Sequence, residues 1–309
     1  MRVSYARDYF VPLPAGHPFP MGKFPALFRI LTAEGRVTAA EIVEPSEASW
    51  EELALVHTPD YLRRLETGAF ERAELRRLGL PWSPALVRRS RLAVRGTVNA
   101  AWMALEDGVA ANLAGGTHHA FPDHGEGFCV LNDVGVAVRL LRRGGWIRRA
   151  LVIDLDVHQG NGTAAVFADD PDTFTFSMHG ARNYPFHKVP SDLDVPLADG
   201  TGDADYLTAL GRHLRAALEA ARPDLVFYLG GVDVLEGDRF GRLSLTRAGL
   251  EARDRLVVGT VRDRGHPLTL LLSGGYAEND EETADLHASA HRAAAVEGTP
   301  CATRGTRAS

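Results

Sequence analysis

The chain has 309 residues, enough for one large α/β domain or two small ones. Its apolar share of 45% and charged share of 24% are ordinary for a globular protein. The formal charge of −6 comes from 40 acidic and 34 basic residues without long runs of either sign. That balance argues against a general nucleic-acid-binding protein, which would carry a basic face.

Cysteine usage and hydropathy indicate the compartment. Cys129 and Cys301 are too few for a disulfide framework or a thiolate metal site. The first 20 residues hold no apolar core of a secretory signal, and no window approaches the roughly 18 unbroken apolar residues of a membrane span. We therefore expect a cytoplasmic protein without a membrane segment.

Short apolar runs without alternation recur along the chain, as is typical of strands buried on both faces. Five of them predict strands, within residues 108–120, 148–158, 172–180, 223–233 and 266–276.

Segments with helical signals separate these runs. Thr58 precedes Pro59 in "HTPDYLRRLE", an N-cap followed by proline at the first helical position. Residues 90–108, 202–224 and 246–266 have helical length and periodicity.

Alternating strands and helices predict the fold class α/β, with a central parallel sheet and helices on both faces. No linker composition interrupts the pattern, so we predict one catalytic domain over residues 1–290. The small and polar residues that follow predict a flexible C-terminal tail over residues 291–309.

Polar side chains with chemical capability follow each of the five apolar runs. Because ligands bind outside the carboxyl ends of parallel strands, these side chains predict a site at one edge of the sheet. In chain order they are His118 and His119, then Asp154, Asp156 and His158, then Ser177 and His179, then Asp233 and Asp238, and finally Tyr276.

A metal ion is the first hypothesis for this site. Asp156, His158 and Asp238 would give Zn²⁺ three oxygen and nitrogen ligands and leave a fourth position open. An isolated Asp-x-His is more often a hydrogen-bonded strand end, but a second acidic strand end beside it favours metal binding.

Four further side chains have alternative interpretations. The His118–His119 pair suits metal ligation or general-base catalysis, although one core and one surface histidine would also give it. Tyr276 could donate to an oxyanion or simply cap a strand. Phe128 lines either a channel or the core.

With these residues assembled, the chain resembles the histone deacetylase superfamily, which has the arginase/deacetylase fold. Ordered motifs carry the resemblance over about residues 1–290: "AGGTHHA", "GEGFCVLND", "DLDVHQGNG", "GGVDVLEGDRFGRLSLT" and "LLSGGY". The segments "HPFPMGKF", "HQGNG" and "SGGY" are most similar to class IV and its bacterial relatives.

The resemblance implies a zinc-dependent deacetylase or deacylase acting on acylated lysine or a related amine. It assigns Zn²⁺ to Asp156, His158 and Asp238. It makes His119 the general base, with His118 as its electrostatic neighbour, and Tyr276 the donor to the carbonyl oxygen.

It also implies supporting residues. Gly127 and Phe128 would line the substrate channel, and Asp154 would orient His118. Asp154 and Ser177 would bind a structural K⁺, together with backbone carbonyls near Met178. Asn161 would accept a hydrogen bond from His119; better-studied classes have aspartate there, so this imidazole should be less basic.

Two rival functions have sequence discriminators. An arginase-like ureohydrolase with two Mn²⁺ ions would carry a carboxylate where Gly160 stands, and a denser acidic cluster than Asp233 with Asp238. A non-catalytic acyl-lysine binding module would have lost a ligand or Tyr276. Neither acyl-chain length nor the physiological substrate follows from the sequence.

Overall fold

The described residues, 1–296, form eight strands in one sheet in this computed structural model. In chain order they are β1 (Val3–Ser4), β2 (Ile42–Val43), β3 (Val109–Asn112), β4 (Ala150–Asp154), β5 (Thr173–Gly180), β6 (Leu193–Leu197), β7 (Leu225–Leu229) and β8 (Leu268–Leu271). Every pairing is parallel, and the order across the sheet is β2-β1-β3-β8-β7-β4-β5-β6.

The same residues form ten α-helices. They are α1 (Lys23–Ala33), α2 (Trp50–Leu53), α3 (Pro59–Thr67), α4 (Arg72–Leu78), α5 (Pro84–Asp107), α6 (Asp133–Arg143), α7 (Asn161–Phe167), α8 (Asp203–Ala221), α9 (Arg247–Asp263) and α10 (Asp280–Val296). Helix α5 packs on β3 and β8, and α8 packs on β4 and β5. The predicted fold class is confirmed: a single α/β domain with a parallel sheet between helices.

Successive side chains of β4 point to opposite faces of the sheet, and both faces are packed against helices. Leu151 and Ile153 enter the apolar cluster that contains side chains of α8, α9 and α10. Ala150 and Val152 face the opposite cluster, which contains side chains of α5 and α6. Burying each of the larger side chains stabilises the fold by about 1.5–3 kcal/mol.

The five predicted strand regions are confirmed as β3, β4, β5, β7 and β8. The hydroxyl of Thr58 accepts from the Tyr61 amide, as expected for the N-cap of α3. Helix α5 begins at Pro84 rather than near residue 90, because Ser83 caps it and the proline occupies its first turn. Strands β1, β2 and β6 were not predicted. The first two have only two residues each, too few to show a periodicity, and β6 is a half-exposed edge strand that contains Pro196.

The predicted boundary at residue 290 needs correction. Helix α10 continues to Val296, and its residues Ala293 and Ala294 are buried. Arg292, also within the predicted tail, binds Glu34 and Asp285. The remainder of that tail, residues 297–309, lies outside the described residues.

Across residues 1–296, none of the helices combines the length and apolar character needed to cross a bilayer.

Candidate metal centre and catalytic site

A buried group of two carboxylates and one imidazole lies at the carboxyl edge of the sheet. Asp156 and His158 follow β4, and Asp233 follows β7, its neighbour in the sheet. Their potential ligand atoms all lie within 4.8 Å of one another. His158 Nδ1 is 3.0 Å from Asp156 Oδ1 and 3.1 Å from Asp233 Oδ2.

Asp238 does not belong to this group, although the sequence analysis placed it among the zinc ligands. Its Oδ1 accepts hydrogen bonds from the amides of Phe240 and Gly241, at 2.9 and 3.0 Å. Its Oδ2 accepts from the Tyr276 amide at 2.7 Å. Both oxygens therefore accept hydrogen bonds from loop amides. The third member of the candidate ligand set is Asp233 and not Asp238.

Backbone contacts hold the two carboxylates in place. The Gly274 amide donates to Asp156 Oδ2 at 2.6 Å, and the Val157 amide donates to Asp233 Oδ1 at 2.9 Å. A Cβ atom on Gly274 would collide with an oxygen of each aspartate. Glycine is needed here because the chain passes directly against the ligand atoms.

The electrostatics of the group are those of a cation site. Burial raises the pKa of Asp233 to about 7, and repulsion from Asp156 adds to this effect. Burial opposes the charged form of His158, but its contacts with Asp156 and Asp233 outweigh burial and raise the pKa to about 10. Bringing a positive charge to the cluster relieves the carboxylate repulsion.

His119 lies beside the group in a chain of hydrogen bonds. Its Nδ1 donates to Asn161 Oδ1 at 2.6 Å, and Asn161 Nδ2 donates to Glu126 Oε1 at 2.6 Å. Because a carboxylate can only accept, Glu126 fixes the orientation of the Asn161 amide. That orientation keeps the proton on His119 Nδ1 and leaves Nε2 with a free lone pair.

Glu126 remains ionised in this position. Burial opposes the charge, but hydrogen bonds from His124, Asn161 and Tyr184 outweigh burial and hold the pKa below the ordinary glutamate value. Sequence reasoning missed Glu126, because a glutamate between two glycines looks like an ordinary loop residue.

The two adjacent histidines have opposite electrostatic environments. Burial lowers the pKa of His119 well below its ordinary value, and the neighbouring His118 and His158 lower it further. His118 Nδ1 donates to Asp154 Oδ2 at 2.7 Å. Burial opposes the charge of His118, but Asp154 and Asp156 outweigh it and raise the pKa to about 9.

Tyr276 follows β8 and closes the site from the opposite side. Its amide is held by Asp238, and its carbonyl accepts from the Arg239 amide at 3.3 Å. Burial raises the pKa of its phenol well above the ordinary value, and the charges of Asp156 and Asp233 act in the same direction. The hydroxyl therefore stays protonated and can donate a hydrogen bond.

A cavity of about 380 Å³ opens from this site to the surface; we call it the mouth. Aromatic rings wall it, with Phe128 6.0 Å from Tyr276 and Phe240 4.8 Å from Tyr276 between centroids. Tyr184 lies 5.1 Å from His119. A smaller cavity of about 40 Å³ lies on the inner side of the site.

Gly127 and Phe128, which the family resemblance leads us to expect in a substrate channel, both line the mouth. A Cβ on Gly127 would lie 2.6 Å from His119 Cδ2, so the loop can pass the imidazole only as glycine. Phe128 adopts φ of 67°, a left-handed conformation that costs roughly 1–2 kcal/mol for a residue with a side chain. Its amide offsets part of that cost by donating to the Leu78 carbonyl at 2.8 Å.

Asp154 and Ser177 lie side by side as register partners of β4 and β5. Asp154 Oδ1 accepts from the Asp156 amide at 3.2 Å, and Ser177 Oγ contacts His179 Nδ1 at 2.9 Å. The structure thus brings together the two side chains expected to bind a monovalent cation, next to the candidate metal group.

Comparison with known proteins decides the family. The histone deacetylase domain family matches residues 17–292. The chain belongs to the histone deacetylase family. Among its curated relatives is an uncharacterised protein of Picosynechococcus, 46% identical over 94% of this chain and 97% of the relative. Histone deacetylase 2 of Arabidopsis thaliana is 32% identical over 90% of this chain and 75% of the relative.

Solved structures agree on the fold. The HD domain of HDA15 matches with a TM-score of 0.79 at 23% identity, covering 97% of this chain and 89% of that one. A histone deacetylase homologue in complex with SAHA matches with a TM-score of 0.78 at 26% identity, covering 94% and 83%. The family expectation from the sequence is confirmed, and a deacetylase or amidohydrolase activity follows from the family.

Proposed function

We propose that the protein is a zinc-dependent amidohydrolase that removes acetyl groups from lysine side chains. The observation that carries the proposal is the buried group of Asp156, His158 and Asp233, flanked by His119 and Tyr276. A ligand triad beside a base and a hydroxyl donor is the arrangement that metal-assisted amide hydrolysis requires.

The ligand set fits Zn²⁺. Two carboxylates and an imidazole suit a divalent first-row ion, and three protein ligands leave a coordination position open. His158 Nδ1 points at both carboxylates, so all three donors converge on one point. When bound there, zinc would polarise the amide carbonyl and lower the pKa of a water molecule.

His119 supplies the proton transfer. Asn161 accepts from its Nδ1, so Nε2 is the nitrogen that takes a proton from the attacking water and returns it to the leaving amine. Glu126 supports this role through Asn161, because the carboxylate stabilises the amide orientation that fixes the imidazole tautomer.

Tyr276 stabilises charge on the substrate. Its hydroxyl donates to the carbonyl oxygen as that oxygen becomes negative, a contribution of about 3–4 kcal/mol for a well-placed donor. The Asp238 carboxylate positions the Tyr276 backbone. His118 stays hydrogen-bonded to Asp154 and acts as a fixed charge beside the base. We further propose that Asp154 and Ser177 contribute to a K⁺ site.

The inner cavity favours short acyl groups. Its volume of about 40 Å³ corresponds to only a few water molecules, which favours an acetyl group over a long chain. Lys23 and Arg89, both buried, also line it. A long alkyl chain placed there would contact two basic side chains with which it can form no hydrogen bond.

A panel of substrates tests the proposal. The purified protein should hydrolyse an acetyl-lysine peptide, with a lower kcat/KM for the same peptide carrying a twelve-carbon acyl group, and should not hydrolyse arginine. His119→Ala is the matched inactive control. Arginine hydrolysis with two Mn²⁺ ions bound would instead identify the rival ureohydrolase, and acyl-lysine binding without turnover would identify a binding module.

A further inference from the structure

Four arginines surround the mouth; we call them the arginine rim. They are Arg76, Arg77, Arg182 and Arg242. Three separate segments contribute them: helix α4, the loop after β5 and the loop after β7. Among the described residues that line the mouth there is no aspartate or glutamate.

The charges of the rim are largely available to a ligand. Arg182 and Arg242 are 78% and 56% exposed, and they share one carboxylate, Asp199, at 3.7 and 3.4 Å. Arg76 and Arg77 are also exposed. Glu74, on the same helix, is bound by Arg64 and by the Glu71 amide, so it does not neutralise them.

This local charge opposes the charge of the whole protein. The chain carries a formal −6, yet the entrance to its site carries four guanidinium groups. A cleft lined by one sign of charge raises the local concentration of oppositely charged substrate and its association rate. Guanidinium groups also bind carboxylates through bidentate hydrogen bonds.

We propose that the arginine rim selects acetyl-lysine flanked by carboxylates, so that the substrate class is an acidic peptide segment. The inference rests on the proposed function and specifies its substrate. The aromatic mouth takes the aliphatic stem of the lysine, and the rim binds aspartate or glutamate side chains on either side. Acetylpolyamines and acetyl-lysine in basic segments are repelled, because they bring further positive charge to the four arginines.

The test uses acetyl-lysine peptides of equal length whose flanks are acidic, neutral or basic, with an acetylpolyamine as a fourth substrate. At about 0.02 M salt, kcat/KM should be about 10-fold higher for the acidic than for the neutral peptide, and lowest for the two cationic substrates. The preference should shrink at about 0.5 M salt, where charges are screened beyond a few ångströms.

Variants then connect the preference to the rim. The double variant Arg76→Gln/Arg77→Gln should lose most of the acidic preference, measured as the ratio of kcat/KM for the acidic peptide to kcat/KM for the neutral peptide in the same variant. Arg72→Gln removes the same kind of charge from the same helix away from the mouth and should keep the preference.

The outcomes separate the two proposals. Equal kcat/KM for the acidic and basic peptides, a faster acetylpolyamine, or a preference that survives in the double variant would overturn the role of the rim. Hydrolysis of none of the four substrates would overturn the proposed function, and the inference with it.

Discussion

Replacing Asp233 by asparagine should abolish tight metal binding without unfolding the protein. Asparagine keeps an oxygen for the Val157 amide, so the loop contact at 2.9 Å can persist. It removes the negative charge and the oxygen beside His158 Nδ1. Loss of groups that merely support a ligand lowers metal affinity about 10–100-fold, so loss of a ligand should cost at least about 100-fold, or about 2.7 kcal/mol.

Asp238→Asn is the matched control, because it removes one charge from an aspartate on the same loop. The oxygen that binds the Phe240 and Gly241 amides can be kept, but the acceptor for the Tyr276 amide is lost, because asparagine places an NH₂ group there. Leaving that amide without a partner costs about 1–3 kcal/mol, so kcat should fall while zinc affinity stays within about threefold.

Competition of each variant with a chromophoric chelator measures the zinc affinity, and circular dichroism confirms the fold. If Asp238→Asn loses zinc as Asp233→Asn does, or if Asp233→Asn binds zinc within about threefold of the native protein, then our assignment of the third ligand is incorrect.

Three further predictions concern the base, the oxyanion donor and acid stability. Tyr276→Phe should lower kcat about 10²–10³-fold with unchanged zinc content, and a decrease below about threefold in steady-state assays would exclude an oxyanion role. The double variant Asn161→Asp/Glu126→Gln moves the carboxylate next to His119 and should raise the pKa of that imidazole. The acidic limb of the profile of kcat/KM against pH should then shift to higher pH. An unchanged limb would refute the role of the hydrogen-bond chain from His119 through Asn161 to Glu126. Desolvation lowers the pKa of the buried His57 to about 4. Its contribution to the stability of the folded state is therefore complete above pH 6.5, and about 3 kcal/mol of it is lost as the pH falls to 4. His57→Gln should flatten the fall in unfolding midpoint over that range, and an equally steep fall in both proteins would contradict this.

The sign of the His57 effect follows from proton uptake. Its Nδ1 donates to the Phe121 carbonyl and its Nε2 accepts from the Asn132 amide, so the folded state holds the neutral ring. Between pH 4 and 6.5 the unfolded chain binds the extra proton, and stability therefore rises with pH across this window.

Local patterns in the sequence were sufficient for most of the sheet. Apolar runs predicted β3, β4, β5, β7 and β8, because strands buried on both faces need continuous hydrophobicity. The same runs placed His119, Asp156 and Tyr276 at one edge, since the carboxyl ends of parallel strands coincide.

The choice between Asp233 and Asp238 could not be made locally. Both lie in the loop between β7 and α9, and which carboxylate reaches the site depends on a contact with the loop after β4. The Val157 amide selects Asp233, and the Tyr276 amide selects Asp238. These partners are distant in sequence, so spacing alone gives no signal for them.

The hydrogen bonds from His119 to Asn161 and Glu126, and the positive charge of the mouth, could not be predicted either, because they also join residues that are distant in sequence. The role of Glu126 depends on Asn161, the first residue of α7, whose amide donates a hydrogen bond to it. The arginine rim combines three chain segments that show no basic run in the sequence. The net charge of the sequence is negative and therefore gave no indication that arginines surround the entrance to the site.

Zinc-dependent hydrolysis at Asp156, His158 and Asp233 is tested most directly by one titration. Protein freed of metal is titrated with zinc while bound metal and acetyl-lysine hydrolysis are measured on the same samples. We predict that activity rises in proportion to bound zinc and saturates at one ion per chain. Hydrolysis that is complete without metal, or that requires two ions per chain, would contradict the account.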